Sequence, residues 1–153
     1  MKIEHLCDHT AFSETVAKWL YDEFIVGIRK DVSYEYVLSS VNDCHKQKLP
    51  VRLIALLDGK CVGTVSIVVN DLKFRDYTPW LAALYVDPEH RSQGVGRRLV
   101  DAVKEAVRQL GYDKLYLRTE HAGDYYRALG WDYIETCKDE FGLNPDVFSF
   151  SLV

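Results

Sequence analysis

No stretch of this sequence approaches the roughly 20 apolar residues that a membrane-spanning helix needs. The apolar runs are short and interrupted; Cys61 to Val69 contains Gly, Thr and Ser. The opening residues, MKIEHLCDHT, lack the apolar core of a signal peptide. Cysteine is sparse: Cys7, Cys44, Cys61 and Cys137 stand far apart, with no C-x-x-C pair. That spacing excludes a zinc knuckle and a thioredoxin-type motif, and leaves small buried hydrophobes as the reading. Basic charge is not in excess either. Nineteen Lys and Arg face 23 Asp and Glu, a net charge of −4, so no global pull toward nucleic acid or an anionic membrane exists. Low-complexity segments, linkers and internal repeats are missing as well. The expectation is a soluble, cytoplasmic chain with no metal, no nucleic-acid partner and no membrane partner.

What is present is one domain's worth of core. The chain has 153 residues, 48% of them hydrophobic and 27% charged. A chain of this size buries roughly 68–70% of its unfolded surface, so residues 1–153 are expected to form a single domain. The composition excludes disordered, collagen-like and coiled-coil classes.

Periodicity supplies the order of elements. Residues 2–7 read as a short strand. Phe12, Val16, Trp19, Leu20 and Phe24 predict a helix over 10–26, ended by Gly27. Ser33 is the expected N-cap of a second helix over 34–47. Strands follow at 51–57 and 61–69, joined by the hairpin dipeptide Asp58-Gly59. A polar loop, 70–79, leads to an apolar strand at 80–86. Leu99, Val103, Ala106, Val107 and Leu110 define a helix over 95–110, with Gly111 as its stop. A strand at 113–118, a short helix at 122–129 and strands at 131–137 and 146–152 complete the chain. The plan is mixed α/β, with a central sheet flanked by helices.

The chemistry concentrates in Leu81 to Leu99, LAALYVDPEHRSQGVGRRL. A strand ends at Asp87-Pro88, and Arg91-Ser92-Gln93-Gly94-Val95-Gly96 then opens a helix. Two glycines let the backbone turn tightly, and the first helical turn carries unpaired N–H groups at the positive end of a dipole. This is an anion site suited to phosphate, with Arg91, Arg97 and Arg98 adding local positive charge. It is not a P-loop, because no G-x-x-x-x-G-K-[ST] string occurs. Nor is it the dinucleotide fingerprint, because Gly94-Val95-Gly96-Arg97-Arg98 is followed by Leu99 rather than glycine.

The R-x-x-G-x-G string after strand 80–86, with Tyr125-Tyr126-Arg127-Ala128-Leu129-Gly130-Trp131 some 30 residues downstream, resembles the GNAT superfamily of acetyl-CoA-dependent N-acetyltransferases. The order of elements matches across nearly the whole chain; residues 1–50 match only in pattern. The resemblance implies a mainly antiparallel central sheet of six to seven strands flanked by about four helices. It also implies acetyl-CoA as cosubstrate and an amine, small or protein-borne, as acceptor. By similarity, the backbone of Leu84, Tyr85 and Val86 pairs with the pantetheine arm, and Val86 N–H polarises the acetyl carbonyl. Arg91, Ser92, Gln93, Gly94, Val95, Gly96 and Arg97 form the pyrophosphate loop, although Arg97 also reads as a solvated helix arginine. Thr119 stands where many relatives carry an asparagine that bonds the cofactor. Tyr126 is the implied acid for the departing thiolate; Tyr125 is out of register for that role.

One departure matters. Many relatives carry a glutamate on strand 80–86 as base, and this strand has no carboxylate. Asp87, Glu89, Glu120, His121 and Asp124 are the alternatives, along with a water relay. The missing carboxylate leaves a second reading open, a non-catalytic acyl-CoA-binding sensor or interaction module. A third is a phosphate-binding domain that only resembles the family. The acceptor cleft is expected from residues 24–36 and 70–80, where acids and aromatics suit a cation. An exposed C-terminal strand makes a homodimer an expectation too.

Overall fold

A computed structural model describes all residues, 1–153. Its strands are β1 (Lys2–His5), β2 (Val51–Leu57), β3 (Lys60–Val68), β4 (Trp80–Val86), β5 (Lys114–Thr119), β6 (Asp132–Thr136) and β7 (Asp146–Ser151). Its helices are α1 (Ser13–Leu20), α2 (Tyr34–Asn42), α3 (Val95–Gln109) and α4 (Gly123–Ala128). They build one seven-stranded sheet in the order β1-β2-β3-β4-β5-β7-β6. Neighbours run antiparallel except β4 and β5, which are parallel. The expected mixed, mainly antiparallel sheet with four helices is therefore the observed one. No helix is long and apolar enough to cross a membrane.

The two faces of the sheet carry different cores. On one, α3 sets Val95, Leu99, Val100, Val103 and Val107 against Val51, Leu53, Val65, Leu115 and Leu117, within a cluster of 18 buried residues. Burying each such side chain contributes about 1.5–3 kcal/mol before entropy is charged against it. On the other, α1 and α2 place Val16, Ala17, Leu20, Val37 and Val41 over Leu6, Ile54 and Cys61.

Local rules explain most boundaries. Asp58 (φ 51°) and Gly59 (φ 78°) form the tight β2–β3 turn. The Ser33 hydroxyl accepts Tyr36 N–H at 3.1 Å and caps α2. Beyond Gln109, Gly111 (φ 93°) lets Tyr112 N–H return to Val107 O at 3.2 Å, which closes α3.

Some boundaries move. The first helix begins at Ser13, because Thr10–Phe12 is a separate 3-10 turn, and it runs into a wide π-helical turn at Tyr21–Ile25. Helix α2 stops at Asn42 rather than 47, because His45 leaves to bridge Val51. The C-terminal strand is not an edge: β7 lies between β5 and β6, and β6 is the outer strand. The reason given for a homodimer therefore falls away.

Two irregularities open the sheet at its middle. The β3–β4 register slips between Thr64↔Tyr85 and Ser66↔Ala82, where Ala83 takes φ 53°. This is a bulge, which bends its strand. The β4–β5 register consists of Trp80↔Tyr116 alone. Past that point the two parallel strands part, leaving a wedge between their C-terminal halves.

Candidate active site

At the C-terminal end of β4 the chain forms its anion loop. Ser92 (φ 62°) and Gly94 (φ 82°) both turn left-handed, and α3 begins at Val95. The backbone N–H groups of Ser92 through Arg97 donate to no group of the chain; the first amide to find a partner is Arg98, to Gly94 O at 3.1 Å. Gly96 lies against β4, since a Cβ there would stand 3.7 Å from Val86 Cγ2.

The three arginines divide their work. Arg91 Nε donates to Val86 O at 2.9 Å, and its guanidinium lies 5.3 Å from the Tyr85 ring centroid. Arg98 donates to Met1 O at 3.0 Å, so it braces the start of the chain. Arg97 is exposed at the loop.

Strand alternation sorts the three β4 residues. Asp87 N–H bonds Val62 O at 2.9 Å, so the main-chain groups of Asp87 and Tyr85 point toward β3. Those of Leu84 and Val86 point into the wedge. Tyr85 stands opposite Thr64 in the β3 ladder. Its ring supports Arg91 and meets Trp19 at 5.4 Å.

The wedge opens into a cavity of about 850 Å³ lined by β4 (Leu81, Ala82, Ala83, Leu84), the end of β5 (Leu117, Arg118, Thr119), Tyr126, and parts of α1, α2 and the 139–143 loop. Leu84, Thr119 and Tyr126 line it; Tyr85, Val86 and the 91–97 loop do not. Thr119 Oγ1 accepts Ala122 N–H at 3.0 Å, which leaves its proton available and sets the turn into α4.

Tyr126 is held by aromatic packing, edge-on to Trp131 at 5.8 Å and tilted against Phe148 at 6.4 Å. Burial, reinforced by neighbouring Tyr125, raises its pKa above the ordinary tyrosine value. The phenol therefore keeps its proton at neutral pH.

The five candidate bases separate by position: Glu120 and His121 line the cavity, and Asp87, Glu89 and Asp124 do not. Asp87 faces His90 Nδ1 at 3.3 Å. Glu89 and Asp124 are exposed and away from the cavity. Glu120 and His121 line it from exposed positions. A further carboxyl, outside the candidate bases read from the sequence, is Asp71. It lines the cavity from the loop before β4, and burial pushes its carboxyl up to about 6, with Arg118 opposing and Glu140 adding to the rise. No motif marks it, since its environment comes from β5 and the 139–143 loop.

The acceptor side is built partly as expected. Glu23, Phe24, Tyr36 and Asp71 line the cavity. Tyr77 and Trp80 instead stack with Tyr116 beneath the sheet's parallel junction, at 5.0 and 5.8 Å. Arg118 pairs with buried Asp139, whose other oxygen accepts the N–H groups of Phe141 and Leu143 at 2.9 and 2.8 Å. Arg52 and Arg29 also line the cavity.

Comparison with known proteins agrees with this geometry. The sequence model described as the Acetyltransferase (GNAT) family matches residues 13–131. Human N-acetyltransferase 8B is 36% identical over 111 residues, 69% of this chain and 47% of that protein. The chain thus spans about half the length of that relative. Among solved structures, an aminoglycoside 6′-N-acetyltransferase complexed with coenzyme A superposes with a TM-score of 0.77 at 16% identity, covering 100% of this chain and 98% of its own. The aminoglycoside 6′-N-acetyltransferase of Enterococcus faecium does so at 0.75 and 15%, covering 100% and 98%. With a splayed β4–β5 pair, an amide-rich loop at the head of α3 and a family match over most of its length, the chain belongs to the GNAT family of acetyltransferases.

Proposed function

We propose that residues 1–153 act as one N-acetyltransferase domain that moves the acetyl group of acetyl-CoA to a primary amine. The observation that carries this reading is Tyr126: a protonated phenol with no hydrogen bond inside the chain, lining the cavity into which the β4–β5 wedge opens.

Acetyl-CoA suits the residues present. The unpartnered N–H groups of Ser92 to Arg97 match a pyrophosphate, and exposed Arg97 adds charge beside them. The wedge-facing main chain of Leu84 and Val86 matches the amides of a pantetheine arm, in the manner of an added strand. Val86 O already accepts a bond from Arg91, and Val86 N–H is the group we assign to polarising the acetyl oxygen. Thr119 offers its hydroxyl proton.

The acceptor enters from the α1–α2 side. An alkylammonium with a pKa near 10.4 must lose a proton before its nitrogen can attack. Asp71 takes it, directly or through one water. A carboxyl at about 6 is a stronger base than one at its ordinary value and is still ionised at neutral pH. As the C–S bond breaks, Tyr126 gives its proton to the sulfur, and its phenolate is restored by the second proton that the nitrogen sheds as it becomes an amide. Holding both reactants in one cleft supplies the rest through proximity.

A sensor reading drew its support from the carboxylate missing on β4; Asp71 supplies one from the neighbouring loop. The test is thiol release from acetyl-CoA across a panel of amines, beside calorimetry of acetyl-CoA binding. Release with at least one amine is expected. Binding without release for every amine supports the sensor, and no acyl-CoA binding overturns the whole reading.

A further inference from the structure

Arg52 is the one cavity-lining cation that the chain leaves without any partner. It sits on β2 opposite Ser66 and is only 8% exposed. It makes no ion pair and no hydrogen bond within the chain, and its Nη1 is sealed from solvent with nothing to donate to. The ionisable group that bears on its charge is the Cys44 thiol, which burial pushes up to about 12, so it supplies no negative charge. Ser66, the cross-strand neighbour of Arg52, donates its hydroxyl to Ala82 O at 3.0 Å and accepts no bond from Arg52. An uncompensated buried guanidinium costs several kcal/mol, and native structures rarely keep one without a use. Burial lowers the Arg52 pKa only to about 10, so the group remains charged at neutral pH.

The other cations of the cavity are accounted for differently. Arg118 is matched by Asp139 and Glu140. Arg29 lies over the Phe141 ring at 5.2 Å, with Nε also buried and unpartnered. Unmatched positive charge thus stands on β2 at Arg52, while Arg29 lies beside the 139–143 loop. The acids Asp71 and Glu140 gather at the β5 end. Between them the walls are apolar, with Ile28, Val32, Phe141 and Leu143 among them.

We propose that the acceptor is an amino carboxylate with an apolar side chain, whose carboxylate is received by Arg52 while its amine faces β4. This rests on the acetyl-transfer reading and names its substrate class. A bidentate guanidinium–carboxylate pair satisfies the orphaned donors. The span is compatible: β2 and β4 are two strand spacings apart, about 10 Å, and the arginine side chain covers much of it. A polycation would place like charge against Arg52 and Arg29.

The test compares leucine with 3-methylbutylamine, the same skeleton without the carboxylate, and with spermidine. In the unaltered protein kcat/KM is expected to favour leucine over 3-methylbutylamine by at least about 30-fold, and spermidine to be poorest. Arg52→Met should collapse the leucine preference to within about threefold, with Arg52→Lys between. Removing an unpaired buried charge should not lower the urea midpoint, so a folding defect is separable. No preference for leucine, or a preference that survives Arg52→Met, overturns the proposal. If no compound releases thiol, the acetyl-transfer reading fails instead. Calorimetry of leucine binding in the presence of CoA then decides the carboxylate site: weakening by at least about 30-fold in Arg52→Met upholds it, and unchanged or absent binding overturns it.

Discussion

Arg118, at the end of β5, donates to the buried carboxylate of Asp139, and this bond fixes the loop that closes one side of the cavity. Burial alone would raise the Asp139 pKa. The N–H groups of Leu143 and Phe141, with Arg118, hold it below the ordinary value. Asp139→Asn keeps the shape and removes the charge. Breaking a buried pair one-sidedly costs about 3–5 kcal/mol, and the retained amide acceptor should soften that to about 2–4 kcal/mol. Urea denaturation checks the stability loss. Acceptor KM is expected to rise with it, because Phe141 and Leu143 line the cavity.

Tyr126→Phe leaves the packing on Trp131 and Phe148 intact and removes only the hydroxyl. Turnover should fall by about 10²-fold or more, the range for losing one positioned acid. Acetyl-CoA affinity by calorimetry should change less than about threefold. Equal turnover in both proteins would remove Tyr126 from the acid role.

Asp71→Asn has two readouts with opposite signs. In kcat/KM against pH, the protein should gain activity as pH rises through about 6, as the carboxyl becomes a base; the variant should lack that limb and be slower throughout. Stability runs the other way. A carboxyl whose folded pKa lies above its unfolded value binds its proton more tightly when folded, so it loses stability between about pH 4 and 6 as pH rises. D71N should therefore be more stable than the parent at pH 7.5 and lose that advantage below about pH 4. Urea midpoints at the two pH values test it.

The strands, α3 and the Gly94 turn were legible because each follows from local chemistry: an Asp-Gly hairpin, a 3.6-residue apolar stripe, a glycine at φ 82°. The amide loop was legible for the same reason. The environment of Asp71 was not, since it depends on residues more than forty positions away, Arg118 and Glu140. Arg52 hid for a related reason. Within VRLIALL it reads as one polar position in a strand, and only the packing of α2 over the sheet buries it without a partner. The C-terminal strand read as exposed from the sequence, yet β7 inserts between β5 and β6 and is mostly buried, a choice of pairing that sequence order does not reveal.

The same loop that bears Asp71 is tied to the sheet's outer strand. Arg75 grips Glu135 of β6 with two bonds, 2.9 and 2.7 Å, and the Tyr77 hydroxyl donates to the same carboxylate. Arg75 and then Tyr77 hold the Glu135 pKa down to about 2, against a reference of 4.5. A depressed carboxyl contributes stability above its unfolded pKa and loses it as pH falls. The contribution should be whole above about pH 5 and should fade between about pH 4.5 and 2. Glu135→Gln removes it at every pH. Parent and variant should therefore differ in urea midpoint at pH 7 and converge near pH 2.5. Because the pair is partly exposed, the gap at pH 7 should also shrink in 1 M salt. A gap independent of both pH and salt would mean that Glu135 acts by packing alone, and that the 70–79 loop is held by the Tyr77–Trp80–Tyr116 stack.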